Sequence, residues 1–180
     1  MRKTIRMRKL FLLSAPLFII LGLSNAYSES KPEEISQNWS TFICFNVSSA
    51  IEMLAFKNGE KLSSVSREKG RLYIQMNKTN PNDFEIAYFA GFPLKTASQA
   101  VLKIDGLEKF LLYSHPEPQS STEKAYAWSH PNDDANLINA LKKGGEAIVE
   151  SNSHTGKIIK DTFALSGFTA AFNSMRRRCK

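Results

Sequence analysis

The sequence is poor in the residues that most often carry catalysis, with two cysteines and three histidines among 180 residues. It has no Cys-x-x-Cys pair, which argues against thiol–disulfide redox catalysis. It also lacks the His-Glu-x-x-His, Gly-x-Ser-x-Gly, phosphate-loop and dinucleotide-binding motifs. With no catalytic motif present, the sequence predicts a protein that is not an enzyme and that carries neither a cofactor nor a metal.

Long apolar runs are absent apart from one near the N-terminus. Leu10 to Leu23 is almost wholly apolar, follows five basic residues and precedes Ser24-Asn25-Ala26. This order is typical of a secretory signal peptide, which we place at residues 1–26. An uncleaved anchor is less favoured because a membrane-spanning helix needs about 20 apolar residues. Met1 and Met7 both remain candidate start residues, since each precedes a basic segment and the same apolar run.

A strong excess of positive charge is absent once the signal peptide is removed. The formal net charge of +7 falls to +2 without the five basic residues of that segment. Nucleic-acid binding requires a clustered basic stripe, so this function is disfavoured. The remaining clusters are Lys142-Lys143 and the tail residues Arg176, Arg177, Arg178 and Lys180. The tail charges suit the C-terminus of a helix, and they are also candidates for binding an anionic surface.

The mature chain is long enough for one domain with a real core. Residues 27–38 are polar and predict a flexible leader, and residues 39–180 form the domain. Export to an oxidising compartment predicts a disulfide between Cys44, in the first strand, and Cys179, at the end of the last helix. Loop entropy assigns such a long-range bridge about 4–5 kcal/mol. Two free thiols are the less favoured alternative.

Strand patterns dominate the domain. Dense β-formers predict one strand over 39–47, and alternating apolar residues predict strands over 71–76 and 84–89. Asp105-Gly106 predicts a hairpin between 101–104 and 107–113, because both residues tolerate positive φ angles. Further patterns predict a turn at 58–59, a second hairpin over 146–165 and one exposed polar loop over 114–124.

Two short helices are expected late in the chain. Asn132 or Asp133 can cap the first, which Gly144 ends. Ser166 can cap the second, whose apolar face carries residues at helical spacing, namely Phe168, Phe172, Met175 and Cys179. Short strands with few helices predict an all-β antiparallel sandwich with two peripheral helices, the last one C-terminal.

Several motifs resemble those of the invasion-associated locus B family of exported bacterial proteins. They are Trp39 with Cys44, Gly91-Phe92-Pro93, Trp128 before Asp133-Asp134, and the distinctive segment 161–171 followed by Cys179. The resemblance covers residues 39–179. It implies an immunoglobulin-like sandwich of the cell envelope, linked to host-cell entry in some pathogens, and it implies no catalytic residues. The polar insert at 114–124 and the basic tail depart from the family pattern.

The favoured interpretation is an exported, non-enzymatic binding module, either in the periplasm or cell envelope or secreted. Its partner would be an unidentified protein or host surface, engaged through sheet edges or loops. A periplasmic hydrolase around His130 and Asp133 is one alternative, although acids there also suit a helix N-terminus. A chaperone-like envelope factor is the other. Asp161 is expected to hydrogen-bond the turn into the last helix, with a catalytic role as its alternative.

Overall fold

A computed structural model describes residues 31–64, 66–80 and 82–179. The predicted signal peptide, the first part of the predicted leader and Lys180 lie outside the described residues. Most of the described chain forms strands joined by turns and loops, and its two α-helices lie late in the sequence. The strands are β1 Glu34–Ser36, β2 Trp39–Thr41, β3 Phe45–Ser49, β4 Glu52–Lys57, β5 Glu60–Lys61, β6 Arg71–Met76, β7 Phe84–Phe89, β8 Gln99–Ile104, β9 Glu108–Ser114, β10 Tyr126–Ser129, β11 Glu146–Asn152 and β12 Ile158–Ala164. The helices are α1 Asp134–Lys143 and α2 Phe168–Arg178, and a short 3-10 turn spans Glu123–Ala125.

All these strands belong to one antiparallel sheet. Its order is β1-β2-β3-β6-β7-β10-β9-β8-β11-β12-β4-β5. The sheet folds back on itself, because β7 and β12 are distant in this order and yet touch. The Tyr88 hydroxyl donates to Asp161 over 2.7 Å, and the Tyr88 and Phe163 ring centroids are 6.3 Å apart. The predicted all-β, sandwich-like fold is therefore confirmed, with hydrogen bonding that continues from one layer into the other.

The predicted strands over 71–76 and 84–89 are confirmed as β6 and β7, with Leu72, Ile74 and Ile86 fully buried. The hairpin at Asp105-Gly106 is confirmed as well, and the two residues have φ angles of 48° and 73°.

The first predicted strand is wrong in one respect. The segment from Trp39 to Val47 is not one strand but two, β2 and β3, which pair with each other. The amide of Phe42 donates to the Phe45 carbonyl over 2.8 Å and closes the turn between them. Cys44 therefore lies in this turn and not in a strand. The turn contains no Gly, Pro or Asn, and so it left no local signal.

The folded domain also begins earlier than expected. Residues Glu34–Ser36, assigned to the flexible leader, form the edge strand β1 and pair with β2. The Glu33 amide extends this pairing by donating to the Thr41 carbonyl over 2.7 Å. The leader predicted over 27–38 therefore contains part of the sheet.

Both helices form where the sequence places them, but their caps differ. Asp133 occupies the N-cap position of α1 without a side-chain capping bond. Ser166 does not cap α2, because Gly167 takes that position with a φ angle of 87°. A Cβ atom at Gly167 would lie 2.1 Å from the Ser36 carbonyl oxygen, so the close approach of β1 also requires glycine.

Helix α2 closes one end of the sandwich. Its face residues Phe168, Phe172 and Met175 are buried, which confirms the predicted apolar face. Phe168 meets Trp39 edge to face at 4.8 Å between ring centroids. The disulfide between Cys44 and Cys179 is present, with a Cα–Cα distance of 4.7 Å. It joins the β2–β3 turn to the residue that follows α2.

Candidate binding groove

Four neighbouring strands, β3, β6, β7 and β10, carry apolar side chains on both faces. Their inward residues build the core, as expected for one face of a sandwich. The outward face of a sheet in water is normally polar. Here it carries five aromatic residues, namely Phe45, Tyr73, Phe89, Tyr126 and Trp128. Sequence reasoning missed this surface because β10 was not predicted. The alternation of Tyr126 with Trp128 was the available signal.

Strand register explains why this face forms a groove. Tyr73 pairs with Ala87 across β6 and β7, and Ala87 pairs with Trp128 across β7 and β10. The small Ala87 thus lies between two large aromatic residues and forms the floor between them. In another cross-strand pair of β6 and β7, Arg71 lies opposite Phe89.

The aromatic rings of the groove are close enough to contact one another. Tyr126 is the centre of the row, with ring centroids 5.0 Å from Phe89, 5.7 Å from Trp128 and 6.2 Å from Tyr73. Burial raises the pKa of Tyr126 to about 12, and Tyr73 adds to this effect. The Tyr126 hydroxyl is therefore neutral at physiological pH and available as a hydrogen-bond donor or acceptor.

The loop predicted over 114–124 is shorter in the structure, because Ser114 ends β9 and the 3-10 turn begins at Glu123. Ser120, Thr122 and Glu123 form one wall of the groove. The groove has a volume of about 420 Å³. A second recess of about 430 Å³ shares Thr122 and Tyr126 with it and reaches Phe92 and Pro93. Residues of this polar segment therefore help to shape the surface.

The opposite end of the groove is acidic. A third recess of about 520 Å³ shares Glu85 and Trp128 with the groove and adds Asp83 and Asp134. Partial desolvation, followed by the charges of Asp134 and Asp83, raises the pKa of Glu85, although this side chain is exposed to solvent. Burial likewise raises the pKa of Asp134, although a hydrogen bond from Ser129 opposes this. Within the described residues, none of these carboxylates has an ion-pair partner within 4.0 Å.

A buried ion pair is connected to the other end of the groove, where Phe92 and Pro93 lie. Arg67 lies in the segment between β5 and β6, and its guanidinium makes a two-point contact with the Asp161 carboxylate in the interior. Tyr88 also donates to Asp161, and burial together with the Asp161 charge raises the Tyr88 pKa well above its usual value. The expectation that Asp161 bonds the turn into α2 is wrong, since it lies inside β12 and faces β7.

Arg67 also positions the rim of the groove. Its guanidinium donates to the Ala90 carbonyl over 2.8 Å and lies 5.5 Å from the centroid of the Phe92 ring. The next residue, Glu68, donates its amide to the Gly91 carbonyl over 3.3 Å. The Gly91-Phe92-Pro93 motif is thus held against the segment that carries Arg67.

The hydrolase candidates do not meet in a concave site. His130 is exposed, and its Nδ1 accepts a hydrogen bond from the Asn132 amide over 3.2 Å. Asp133 lies at the start of α1. Neither residue lines the three recesses described above.

The structure divides the basic tail. Arg176 and Arg177 are exposed at the end of α2. Arg178 instead contacts Glu34 over 3.4 Å and Glu33 over 3.7 Å, and it therefore ties α2 to the start of the sheet. A hydrogen bond from Ser174, followed by the contacts with Arg178, lowers the pKa of Glu34.

No helix in the described ranges has the length and apolar character needed to cross a bilayer. A family model described as invasion associated locus B (IalB) protein matches residues 72–176. Most of the groove, including Tyr73, Ala87, Tyr126 and Trp128, lies inside that range. Comparisons with curated proteins and with solved structures give no match.

Proposed function

The chain belongs to the invasion associated locus B family, and we propose that it is an exported, non-enzymatic binding protein that engages a protein partner through the aromatic groove. The disulfide and the family together support a location outside the cytoplasm. We assign it to the periplasm or cell envelope, with secretion as the further step that contact with a host cell would require.

The aromatic outward face is the observation that carries this proposal. Tyr and Trp are enriched at protein interfaces, where they contribute much of the binding energy. A contiguous apolar surface that is rimmed by polar residues marks an interaction site on a soluble protein. Here Tyr126 and Trp128 form the apolar part, and Ser120, Thr122 and Glu123 form the polar rim.

The name of the family links it to invasion, and this supports a partner on the host surface. Exposed Arg176 and Arg177 add a second candidate contact, with an anionic surface, because their charges are not paired within the described residues. We expect the signal peptide to be cleaved after Ala26 during export. N-terminal sequencing of envelope-purified protein should therefore begin at Tyr27, and retention of residues 1–26 would contradict the assignment.

Site-specific photo-crosslinking tests the groove directly. A photoreactive residue at the exposed groove position Gln75 should capture one defined partner in the envelope or at the host surface. Capture should be lost in Ala87→Leu, which fills the floor, and in Trp128→Ala. Leu107→Ala is the matched control, because Leu107 is a highly exposed apolar residue at a distant hairpin.

The captured partner should then bind the purified protein, with the same dependence on Ala87 and Trp128. Capture of many unfolded clients would instead favour the chaperone-like envelope factor. Equal capture by the wild type and both groove variants would overturn the assignment of the function to this surface.

A further inference from the structure

We propose that the groove binds an extended, proline-containing segment of a partner protein, with an Arg or Lys side chain of that segment at the acidic end. This inference rests on the proposed function and names the chemistry of its ligand. It follows from two properties of the same surface, a row of aromatic rings and a cluster of carboxylates without cationic partners.

The row of rings suits a polyproline II segment. Such a segment has three residues per turn, rises about 3.1 Å per residue and has no internal hydrogen bonds. Aromatic-lined grooves recognise it because it is already extended and loses little entropy on binding. The Tyr73, Tyr126 and Trp128 rings, which all line the groove, provide neighbouring contacts at centroid separations of 6.2 and 5.7 Å.

Hydrogen bonding can fix the segment on the rings. Trp128 lines both the groove and the acidic recess, and its indole N–H is a hydrogen-bond donor for a ligand there. The carbonyl groups of a polyproline II segment have no internal partner and can accept from this donor.

The acidic recess determines where the ligand carries its positive charge. Glu85, Asp83 and Asp134 line one recess together, and Glu85 also borders the aromatic groove. Lys78 lines the same recess, but it forms no ion pair with these acids in the described part of the chain. A guanidinium or ammonium group from the ligand would relieve the repulsion among the carboxylates and form charge-assisted hydrogen bonds.

A neutral glycan fits this surface less well. The Tyr126 and Trp128 rings are within 22° of parallel, but the Tyr73 ring is tilted by 38° relative to Tyr126, so the three rings of the groove do not form one flat platform. A neutral sugar would also leave the three carboxylates without a counter-charge. A cationic, proline-containing peptide satisfies both features of the surface.

Fluorescence anisotropy with defined peptides tests the proposal on the full mature protein. The probe is a fluorescein-labelled peptide of eight prolines with two arginines at one end, prepared in both orientations. The matched probe carries two glutamates in place of the arginines. We expect one arginine peptide to bind about tenfold or more tightly than its glutamate counterpart, as one charge-assisted contact predicts.

Variants test the acidic recess and the aromatic groove separately. Glu85→Gln should remove most of the arginine preference, whereas Glu108→Gln on a distant hairpin should leave it unchanged. Ala87→Leu and Trp128→Ala should abolish binding of the arginine peptide. Thermal unfolding of each variant verifies that it is folded, and Ala87→Leu retains all the aromatic rings.

The failures of the two proposals can be distinguished. No arginine-peptide binding at millimolar concentration, equal affinity for the two peptides, or saturable binding of chitotetraose that depends on Trp128 would overturn the peptide proposal. In each of these cases, partner capture that still depends on Ala87 and Trp128 would leave the proposed function intact. Loss of that dependence as well would overturn both.

Discussion

The Arg67 guanidinium and the Asp161 carboxylate form a two-point ion pair in the interior of the sandwich. Their side chains are 1% and 0% exposed, and the two residues are separated by 94 positions in the sequence. Through this pair, the irregular segment before β6 contacts the centre of β12. It thereby connects the interior to the Gly91-Phe92-Pro93 rim of the groove.

Removal of one partner from this pair should be costly. We expect Asp161→Ala to lower the free energy of unfolding by about 3–5 kcal/mol, because the Arg67 charge would remain buried without its partner. The exposed pair of Lys160 with Glu150, at 3.1 Å, is the matched control, and Lys160→Ala should cost under about 1 kcal/mol. Denaturant unfolding measures both values.

A double-mutant cycle tests the coupling within the pair. Arg67→Met combined with Asp161→Ala should be less destabilising than the sum of the two single changes, since neither charge then remains alone. Additive effects would show that the two side chains contribute independently.

The disulfide should stabilise the whole domain. We expect Cys179→Ser to lower the free energy of unfolding by about 2–5 kcal/mol, because Cys44 and Cys179 close a loop across a sequence separation of 135. The double variant with Cys44→Ser controls for reactivity of the remaining thiol. Non-reducing peptide mapping of the wild type should give the linked pair, and free thiols at both positions would contradict this prediction.

Truncation of the buried face of α2 should open a cavity. Phe172 is 1% exposed and lies 5.2 Å from Phe84 and 5.9 Å from Phe168 between ring centroids. Phe172→Ala should therefore cost about 3–5 kcal/mol in unfolding free energy. Asn173→Ala on the exposed side of the same helix is the control, and it should change stability by under about 0.5 kcal/mol.

The negative charge of Glu85, at the acidic end of the groove, should lower the stability of the fold at neutral pH. The pKa of Glu85 is raised in the folded state, so its favourable contribution is present below its ordinary pKa and is lost as pH rises through the folded value. Glu85→Gln should accordingly raise the Tm at pH 7, with a smaller effect at pH 3. Equal effects at both pH values would exclude the Glu85 charge as the cause, and Glu108→Gln is the control.

The basic tail should matter little for folding. Replacement of Arg176, Arg177 and Arg178 with Gln should change the unfolding free energy by under about 1 kcal/mol, because exposed ion pairs contribute little. Any effect should come from Arg178, which alone among them contacts Glu33 and Glu34. The same variant should lose salt-sensitive binding to vesicles that contain anionic lipid. Equal vesicle binding by wild type and variant would restrict these charges to a role at the helix end.

Local patterns in the sequence determined many elements of the fold. Strand β6 alternates in the sequence and in burial, and α2 buries the residues that helical spacing places on one face. Strand β7 was predicted from the same kind of alternation, but its last four residues are all buried. The Asp105-Gly106 turn could also be predicted, because its residues tolerate the positive φ angles that the hairpin requires. The cysteine pairing followed from the number of cysteines and the export signal.

Elements without a local signal could not be predicted. The turn at 42–44 has no turn-forming residue, and its position depends on the pairing of β2 with β3 and on the disulfide at Cys44. Strand β1 is a polar segment that becomes ordered because it pairs with β2 and because Arg178 contacts Glu34. Strand β10 has only four residues, and its place between β7 and β9 is determined by long-range pairing.

By itself, the sequence determined the strand-rich class, the late helices, the cysteine pair and the resemblance to the family, because each depends on residue type or short-range spacing. The proposed binding surface and the contacts of Asp161 depend on long-range packing and became visible in the folded chain. The groove exists because β6, β7 and β10 become neighbours and place Ala87 between Tyr73 and Trp128. Asp161 meets Arg67 because the sheet folds back on itself, and this contact between distant residues cannot be inferred from local spacing.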